Sequence, residues 1–458
     1  MEPIFSDLFP TVDKAAWLTQ VQKELNNART GDVPYERLRW HVNDGFTIEP
    51  YYTHDDLNEL PLETIQHAQK PFPGWLTAPA YVVTNEKQGN TVLRNHLANG
   101  ADALVIALSD PSNLAHLLNG IKLSDTPVFF RTDNSTQLVA TLNTIAPYRL
   151  RGGLLVDPAA HWIQSNQQLT TGYQSVVDLT KATSDSPQFR TVCATSHPFH
   201  NAGATATQEL AFLFASLADQ YDYLTDAGLS IDQIVTKTIL SVSVGISYFI
   251  EIAKLRALRV LMNRFNSCYS SAIDTVPLIH GQTSTFYDAT ATPYTNLLRG
   301  TTEAMSAVIG GCDVLTVRPF DAVLTRSSAS EASAFSDRIA RNVSTLLKEE
   351  SYLNKVADPS AGSYYIEYVT HQLIEAAWTL FLDIEKRGGF AKAFTDGFIP
   401  AQIEQAYHDK VAAVRNGNVI VGVTKFRFDE PTNQLNTDAE GQSTTSLLPD
   451  RRLAAEFE

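Results

Sequence analysis

The sequence predicts an α/β fold: a (β/α)8 TIM barrel with an N-terminal helical arm and a short C-terminal extension. Three observations carry this expectation. Apolar runs of strand length alternate with stretches of helical spacing from about residue 80 onward. Up to eight such runs can be found, which suits a parallel sheet buried on both faces. No Gly-rich nucleotide fingerprint follows any of them, which disfavours a doubly wound sheet.

The elements follow in order. Residues 1–72 read as an arm, with helical spacing over Ala15 to Leu25, a mixed aromatic stretch over Tyr35 to Tyr52, and a short helix over Leu60 to Gln69. Prolines 71, 73 and 79 punctuate the entry to the barrel, expected over 73–395. Its strands are Ala80 to Thr84, Ala103 to Leu108, Pro127 to Arg131, Gly153 to Asp157, Arg190 to Thr195, Val235 to Val244, a run ending at Ile279 and His280, and Val314 to Val317. Helices are expected from Asn113 to Leu118, Gln137 to Ile145, Tyr173 to Ala182, Thr207 to Leu224, Phe249 to Phe265, Glu331 to Lys348 and Tyr368 to Arg387, the last stopped by Gly388-Gly389. The extension, 396–458, carries a helix (Ala401 to Val414), a strand (Val419 to Val423), a polar stretch (Asp429 to Ser446) and, from Asp450, the beginning of an amphipathic helix that reads as the start of a linker.

Bulk properties narrow the function. The 458 residues are 44% hydrophobic and 19% charged, enough for a large core. A net charge of −15 without a basic tract opposes nucleic-acid binding. No run is long and apolar enough for a membrane span, and the first residues lack the basic and apolar regions of a secretory signal. Three scattered cysteines, Cys193, Cys268 and Cys312, suggest a reducing compartment, so the expected location is cytoplasmic.

Polar groups gather where barrels handle ligands, at the C-terminal ends of strands. His280-Gly281-Gln282-Thr283-Ser284 closes one apolar run, and His280 and Gln282, two apart, project the same way. Such a pair suits hydrogen bonding to a carbonyl oxygen or a structural network at the rim. Thr236 and Thr238, and Ser241 and Ser243, form two hydroxyl pairs of opposite parity, so one pair faces the axis; it either leaves room for a threaded ligand or fills a packed core. His197 and His200 lack a third ligand for a metal, and His200 is the better pocket candidate. Glu251, Lys254, Asp337, Arg338 and Arg341 read as structural ion pairs and solvated faces. Trp75, Tyr81 and Phe199 are bulky enough to plug the axis.

The wording of the chain resembles the barrel of the methylmalonyl-CoA mutases from about Tyr51 to Glu458. The densest matches are Ala202-Gly203-Ala204-Thr205 with Gln208-Glu209-Leu210, Glu251 to Arg259, His280 to Ser284, Thr302 to Gly311, Ser336 to Asn342, Asp358-Pro359 with Gly362-Ser363-Tyr364-Tyr365, and Asp383-Ile384-Glu385 with Gly388-Gly389. The resemblance implies radical rearrangement of a CoA thioester with adenosylcobalamin, in a barrel that excludes water. The cobalt ligand comes from a flavodoxin-like domain with a D-x-H-x-x-G motif, which this sequence lacks, so no cobalamin-binding flavodoxin-like domain is expected here.

Several catalytic words of that family are also missing. Gly74 to Tyr81 replaces R-G-x-x-x-T-M-Y, and neither I-Q-N-D nor R-N-T occurs. Alignment on Ala202-Gly203-Ala204 puts His197 at the family tyrosine and Pro198 at the histidine that bonds the thioester carbonyl; proline cannot donate that bond. Lys237-Thr238-Ile239 replaces R-L-S, while Gln282 keeps the substrate glutamine. Phe199-His200-Asn201-Ala202-Gly203-Ala204 matches the F/Y-H-x-A-G-A wording of the non-catalytic small subunit of heterodimeric mutases.

The resemblance therefore implies a subunit with no catalytic residue or bound cofactor, paired with a catalytic large subunit that carries adenosylcobalamin. His200, His280, Gln282, Thr283, Ser284 and Lys237 are the candidates for a residual substrate pocket, with an acyl-CoA as candidate ligand. The rival reading is an active acyl-CoA mutase barrel whose cobalamin domain is a separate chain or has been removed. An unrelated TIM-barrel hydrolase lacks a recognisable nucleophile or metal set.

Overall fold

The computed structural model describes residues 12–26, 34–146, 148–166, 168–269, 277–324, 331–428 and 446–458. The polar stretch expected from Asp429 to Ser446 lies, except for Ser446, outside the described residues. The N-terminal part carries a helix, Lys14–Leu25, capped by the Asp13 carboxylate on the Ala16 amide. A small antiparallel pair follows, β1 (Trp40–His41) with β2 (Thr47–Ile48).

The central structure is α/β with parallel sheets. One sheet pairs, in spatial order, β3 (Leu76–Thr77), β12 (Val314–Thr316), β11 (Leu278–Thr283), β10 (Thr238–Val244) and β9 (Val192–Thr195); the other pairs β4 (Ala80–Val82), β5 (Leu104–Ala107), β6 (Val128–Arg131), β7 (Gly152–Leu154) and β8 (Phe189–Arg190). Every pairing within them is parallel. The sheets meet at two places along the chain, where only Ala78-Pro79 separates β3 from β4 and only Thr191 separates β8 from β9. The double glycine of β7 has a steric reason. At Gly152 (φ 111°) a Cβ would lie 2.1 Å from the Val128 carbonyl oxygen of the neighbouring strand.

Strand alternation sorts the side chains into two sets. Leu240 and Val242 of β10, Ile279 of β11 and Leu315 of β12 join the large core with the helices, and Ile106, Val128 and Phe130 join a second helical core. The alternate residues Val105, Phe129, Cys193, Ile239 and Val314 pack on one another in a separate apolar cluster that draws on both sheets. This cluster is fully buried and lies toward the N-terminal ends of β10 and β12.

Two expectations change here. Val235 to Val244 is not one strand, because Ile231–Lys237 is a helix with a Ser230–Gln233 capping box and the strand begins at Thr238. Thr236 therefore sits on a helix and bonds back to the Asp232 carbonyl. Val419 to Val423 is not a strand either; it forms a turn closed by a single bridge between Val421 and Lys425. Helix Glu86–Ala98 leaves little apolar pattern in the sequence, because only Gly89, Leu93 and His96 are buried along it. Chain end Leu453–Glu456 forms a short 3-10 turn in a cluster with Phe286 and Tyr407. Among the described residues no helix is long and apolar enough to cross a membrane.

Helix Tyr248–Cys268 is more deeply set than a solvated charged face. Lys254, Arg256 and Arg259 are at most 1% exposed. The Arg256 guanidinium makes paired bonds with Asp358 (both 2.9 Å) and with Glu367 (2.9 and 3.1 Å). Glu367 also accepts from Gln66 of the arm helix Leu62–His67 and from the Gly362 amide. This network joins the arm, the Asp358 loop and helix Tyr364–Lys386. Glu367→Gln leaves Arg256 buried with half its counter-charge, and we expect it to lower unfolding stability by about 3 kcal/mol, measured by urea denaturation.

Candidate functional site

The site is a polar layer stacked on the apolar cluster, one strand period nearer the C-terminal ends. In β10 the inward sequence runs Ile239, Ser241, Ser243, so the floor residue is followed by two hydroxyls. Ser241 sits opposite His280 in the β10–β11 register, and Gln282 sits opposite both Ser243 and Thr316. The hydroxyl pair of the strand interior is thus Ser241 and Ser243. Thr238 faces the other way, bonding the Tyr221 hydroxyl at 2.7 Å.

His197 enters this layer from the turn after β9. Pro198 belongs to the first turn of helix His197–Ala202, where a missing amide costs nothing and a fixed φ helps. The helix ends at Gly203 (φ 109°), where a Cβ would meet Tyr407 at 2.8 Å. This short helix holds His197 over the strands. Its Nδ1 hydrogen-bonds Ser243 Oγ at 2.6 Å and its Nε2 hydrogen-bonds Ser241 Oγ at 2.9 Å. Ser241 Oγ also bonds His280 Nδ1 (2.8 Å), and His280 Nε2 bonds Thr316 Oγ1 (2.9 Å), which donates to the Ala78 carbonyl (2.7 Å). Both imidazoles are held well below their ordinary pKa, first by burial and then by the Arg131 charge, so both are neutral. Above them Arg131 Nη2 donates to Gln282 Oε1 at 2.8 Å, a contact from one sheet to the other.

His200 and Ser284 form a second, separate cluster. His200 is buried, with Nδ1 2.8 Å from Glu209 Oε1 and Nε2 2.7 Å from Ser284 Oγ. Glu209 also accepts from Ser196 and from Lys254, and Lys254 pairs with Glu251 at 2.7 Å. Burial pushes the Glu209 carboxyl up, but Lys254, His200 and Ser196 outweigh it and bring it to about 2. The Ser284 amide is held by Glu303.

The candidates therefore divide. His280 and Gln282 share the inner layer, whereas His200 and Ser284 belong to the ionic cluster. Thr283 uses its hydroxyl to accept from the Arg318 amide at 2.7 Å. Lys237 does not join them. It precedes β10, at the opposite end from Ser243, and its ammonium donates to the carbonyls of Thr183, Ser186 and Phe189. The proposed plugs are elsewhere too. Trp75 bonds Ser344 through its indole, Tyr81 packs in the second helical core, and Phe199 meets Phe212 and Phe390 edge to face. Phe129 lies in the separate apolar cluster with Ile239 and Val314. Arg131 and Thr316 were not foreseen; an arginine closing the buried run Pro127 to Arg131 was the available signal for the first. Among the described residues no group of three or more His, Cys, Asp or Glu is placed to hold a metal ion.

Fold and site together define a parallel α/β protein with a histidine-bearing polar layer at its C-terminal strand ends. The family model described as Methylmalonyl-CoA mutase matches residues 100–447. The methylmalonyl-CoA mutase small subunit of Porphyromonas gingivalis is 31% identical, over 100% of this chain and 77% of its own length. A probable methylmalonyl-CoA mutase small subunit of Mycobacterium bovis is 30% identical over 94% of this chain and 72% of its own. The methylmalonyl-CoA mutase of Rhizobium meliloti is 29% identical over 94% and 66%. The chain belongs to the methylmalonyl-CoA mutase family.

The neutral histidines predict a pH signature. Their folded pKa values lie below the unfolded value of about 6.5, so the unfolded chain takes up protons first as pH falls. Their contribution to stability is complete above about pH 6.5 and is lost below it. Replacing one of them, His280→Asn, should flatten the fall of unfolding free energy between pH 6.5 and 5.5 by up to about 1.4 kcal/mol per pH unit relative to the unaltered protein, read from denaturant titrations at each pH.

Proposed function

We propose that this chain is a small, non-catalytic subunit of an adenosylcobalamin-dependent methylmalonyl-CoA mutase. It supports a catalytic large subunit that interconverts methylmalonyl-CoA and succinyl-CoA, as a heterodimer in the cytoplasm. We take the two sheets as the halves of one closed (β/α)8 barrel within residues 73–395, flanked by the arm, 1–72, and the extension, 396–458. The Arg131–Gln282 contact and the shared apolar cluster support that closure.

The observation that carries the functional reading lies at residues 197 and 198. The position implied for the thioester-binding histidine is a proline inside a helix turn, and the neighbouring His197 has both ring nitrogens occupied by Ser241 and Ser243. Beneath them Phe129, Cys193 and Ile239 fill the interior that a threaded CoA arm would need.

In this family adenosylcobalamin supplies the radical chemistry. The histidines of the site do not fit a cobalt ligand, because His197, His200 and His280 each have both ring nitrogens hydrogen-bonded to side chains. The cofactor is therefore assigned to the large subunit, and no step through it is assigned to this chain.

The test is mutase turnover with adenosylcobalamin and methylmalonyl-CoA. The chain alone, or with only a cobalamin-binding domain added, should give no succinyl-CoA. Addition to a separately prepared large subunit should restore or stabilise that subunit's turnover. Succinyl-CoA formed by this chain with only the cobalamin domain would overturn the reading.

A further inference from the structure

Residues 446–458 cross the C-terminal strand ends rather than joining a sheet. Three of their amides reach three separate carbonyls. The Leu447 amide donates to Ile163 O (2.7 Å), the Arg451 amide to Asn201 O (2.9 Å) and the Leu453 amide to Phe286 O (2.7 Å). Ile163, Asn201 and Phe286 lie in the segments that follow β7, β9 and β11. β7 belongs to one sheet and β9 and β11 to the other, so these bonds bridge the two.

Side chains fasten the crossing at a few points. Leu448 joins the large core, and Leu453 and Ala454 join the cluster of Phe286 and Tyr407. Arg451 meets Glu404 at 2.7 Å and lies over the Tyr407 ring at 4.2 Å. Arg452 donates to the Asp288 carbonyl at 3.0 Å and pairs with Glu458 at 3.1 Å. Glu458 accepts from the Thr290 hydroxyl at 2.8 Å. A segment held by isolated bonds and three apolar anchors can leave without breaking a sheet ladder, which makes it a candidate for local opening.

The ionic cluster lies beneath the crossing. Asn201 follows His200 in sequence, and Phe286 meets the His200 ring edge to face at 5.9 Å. Asp450 bonds the Asn201 side chain and is close enough to His200 and Arg318 to feel both charges. Burial still holds the Asp450 carboxyl above its ordinary range, as expected of a group on the covered side. His200, Ser284 and Asp288 are each 4% exposed under this cover.

We propose that residues 446–458 form a strap that opens and closes as one unit over His200, Ser284 and Asp288, independently of the sheets. Closed, the strap seals the ionic cluster and ties the two sheets together at their C-terminal ends. Open, it admits solvent to the His200 ring while β9, β10 and β11 stay folded. This motion belongs to the chain itself and does not depend on pairing with a catalytic subunit.

The experiment is hydrogen exchange of the full chain near neutral pH, read by mass spectrometry, together with acylation of His200 by diethyl pyrocarbonate, read at that residue. We expect the amides of 446–458 to exchange together, about 100-fold or more faster than those of β10. Leu453→Asp places a charge among Phe286, Ala289 and Tyr407. It should raise exchange across all of 446–458 and acylation of His200 by about tenfold or more, with β10 unchanged. Arg452→Ala removes only the ties to Asp288 and Glu458 and should act in the same direction more weakly. If Leu453→Asp does not fold, Leu453→Ala shortens the same anchor and carries the same expectation at smaller size. Exchange of 446–458 in step with β10, a change confined to the residues beside 453, or His200 acylation unmoved in the folded variants would overturn the proposal. The large-subunit assay is independent of this result, so failure here leaves the subunit reading standing.

Discussion

The structure turns on a hydrogen-bonded layer that joins strands by their inward side chains. Ser241 bonds two imidazoles, His197 and His280, and the chain of contacts runs on through Thr316 to the Ala78 backbone. Each ring nitrogen has a partner, so neither histidine leaves a buried donor or acceptor unmet. Burial keeps both rings neutral, which a layer resting on Phe129, Ile239 and Val314 requires. An active site needs groups whose hydrogen-bonding capacity is held open for substrate. Here that capacity has been taken up internally, and Arg131 and Gln282 above the layer bond to each other.

Around this layer the helices are fixed by charge as much as by apolar packing. Arg256, buried and bonded on both sides, ties the arm and the Asp358 loop to helix Tyr364–Lys386. Lys254 does the same between Glu209, Glu251 and the Ser243 carbonyl, so the ionic cluster abuts the strand that carries the inner hydroxyls. Such pairs contribute little net stability when complete but are costly to break, which makes them effective at enforcing one arrangement. The family words around residues 251–259, 358–365 and 202–210 are therefore largely scaffold: they spell the partners of these networks.

Much of the fold was legible because its strands are buried on both faces. Continuous apolar runs such as Ala103 to Leu108 and Pro127 to Arg131 have few other interpretations when they alternate with helical stretches. Failures came where pattern and context part. Val235 to Val244 mixes β-branched residues across a helix–strand junction, and the capping box at Ser230 was the overlooked cue. Val419 to Val423 has strand composition but, among the described residues, no neighbouring strand to pair with. At the site, two-residue spacing correctly placed His280 and Gln282 on one side of β11. It could not place Lys237, whose position depends on where β10 begins, nor reveal that Arg131 meets Gln282 across 151 residues of sequence. Long-range contacts of this kind are fixed by how the sheets come together, and no local pattern records them.

The central claim is that the site's imidazoles are structural, neutral and fully bonded. It is tested most directly by nuclear magnetic resonance of histidine ring nitrogens in 15N-labelled protein, followed from pH 7.5 to 5 and assigned with His197→Gln and His280→Asn. The account predicts that both rings remain single neutral tautomers with no titration near pH 6.5. Rings that titrate near that value, or that exchange between tautomers, would contradict it and return the site to the class of open, functional pockets.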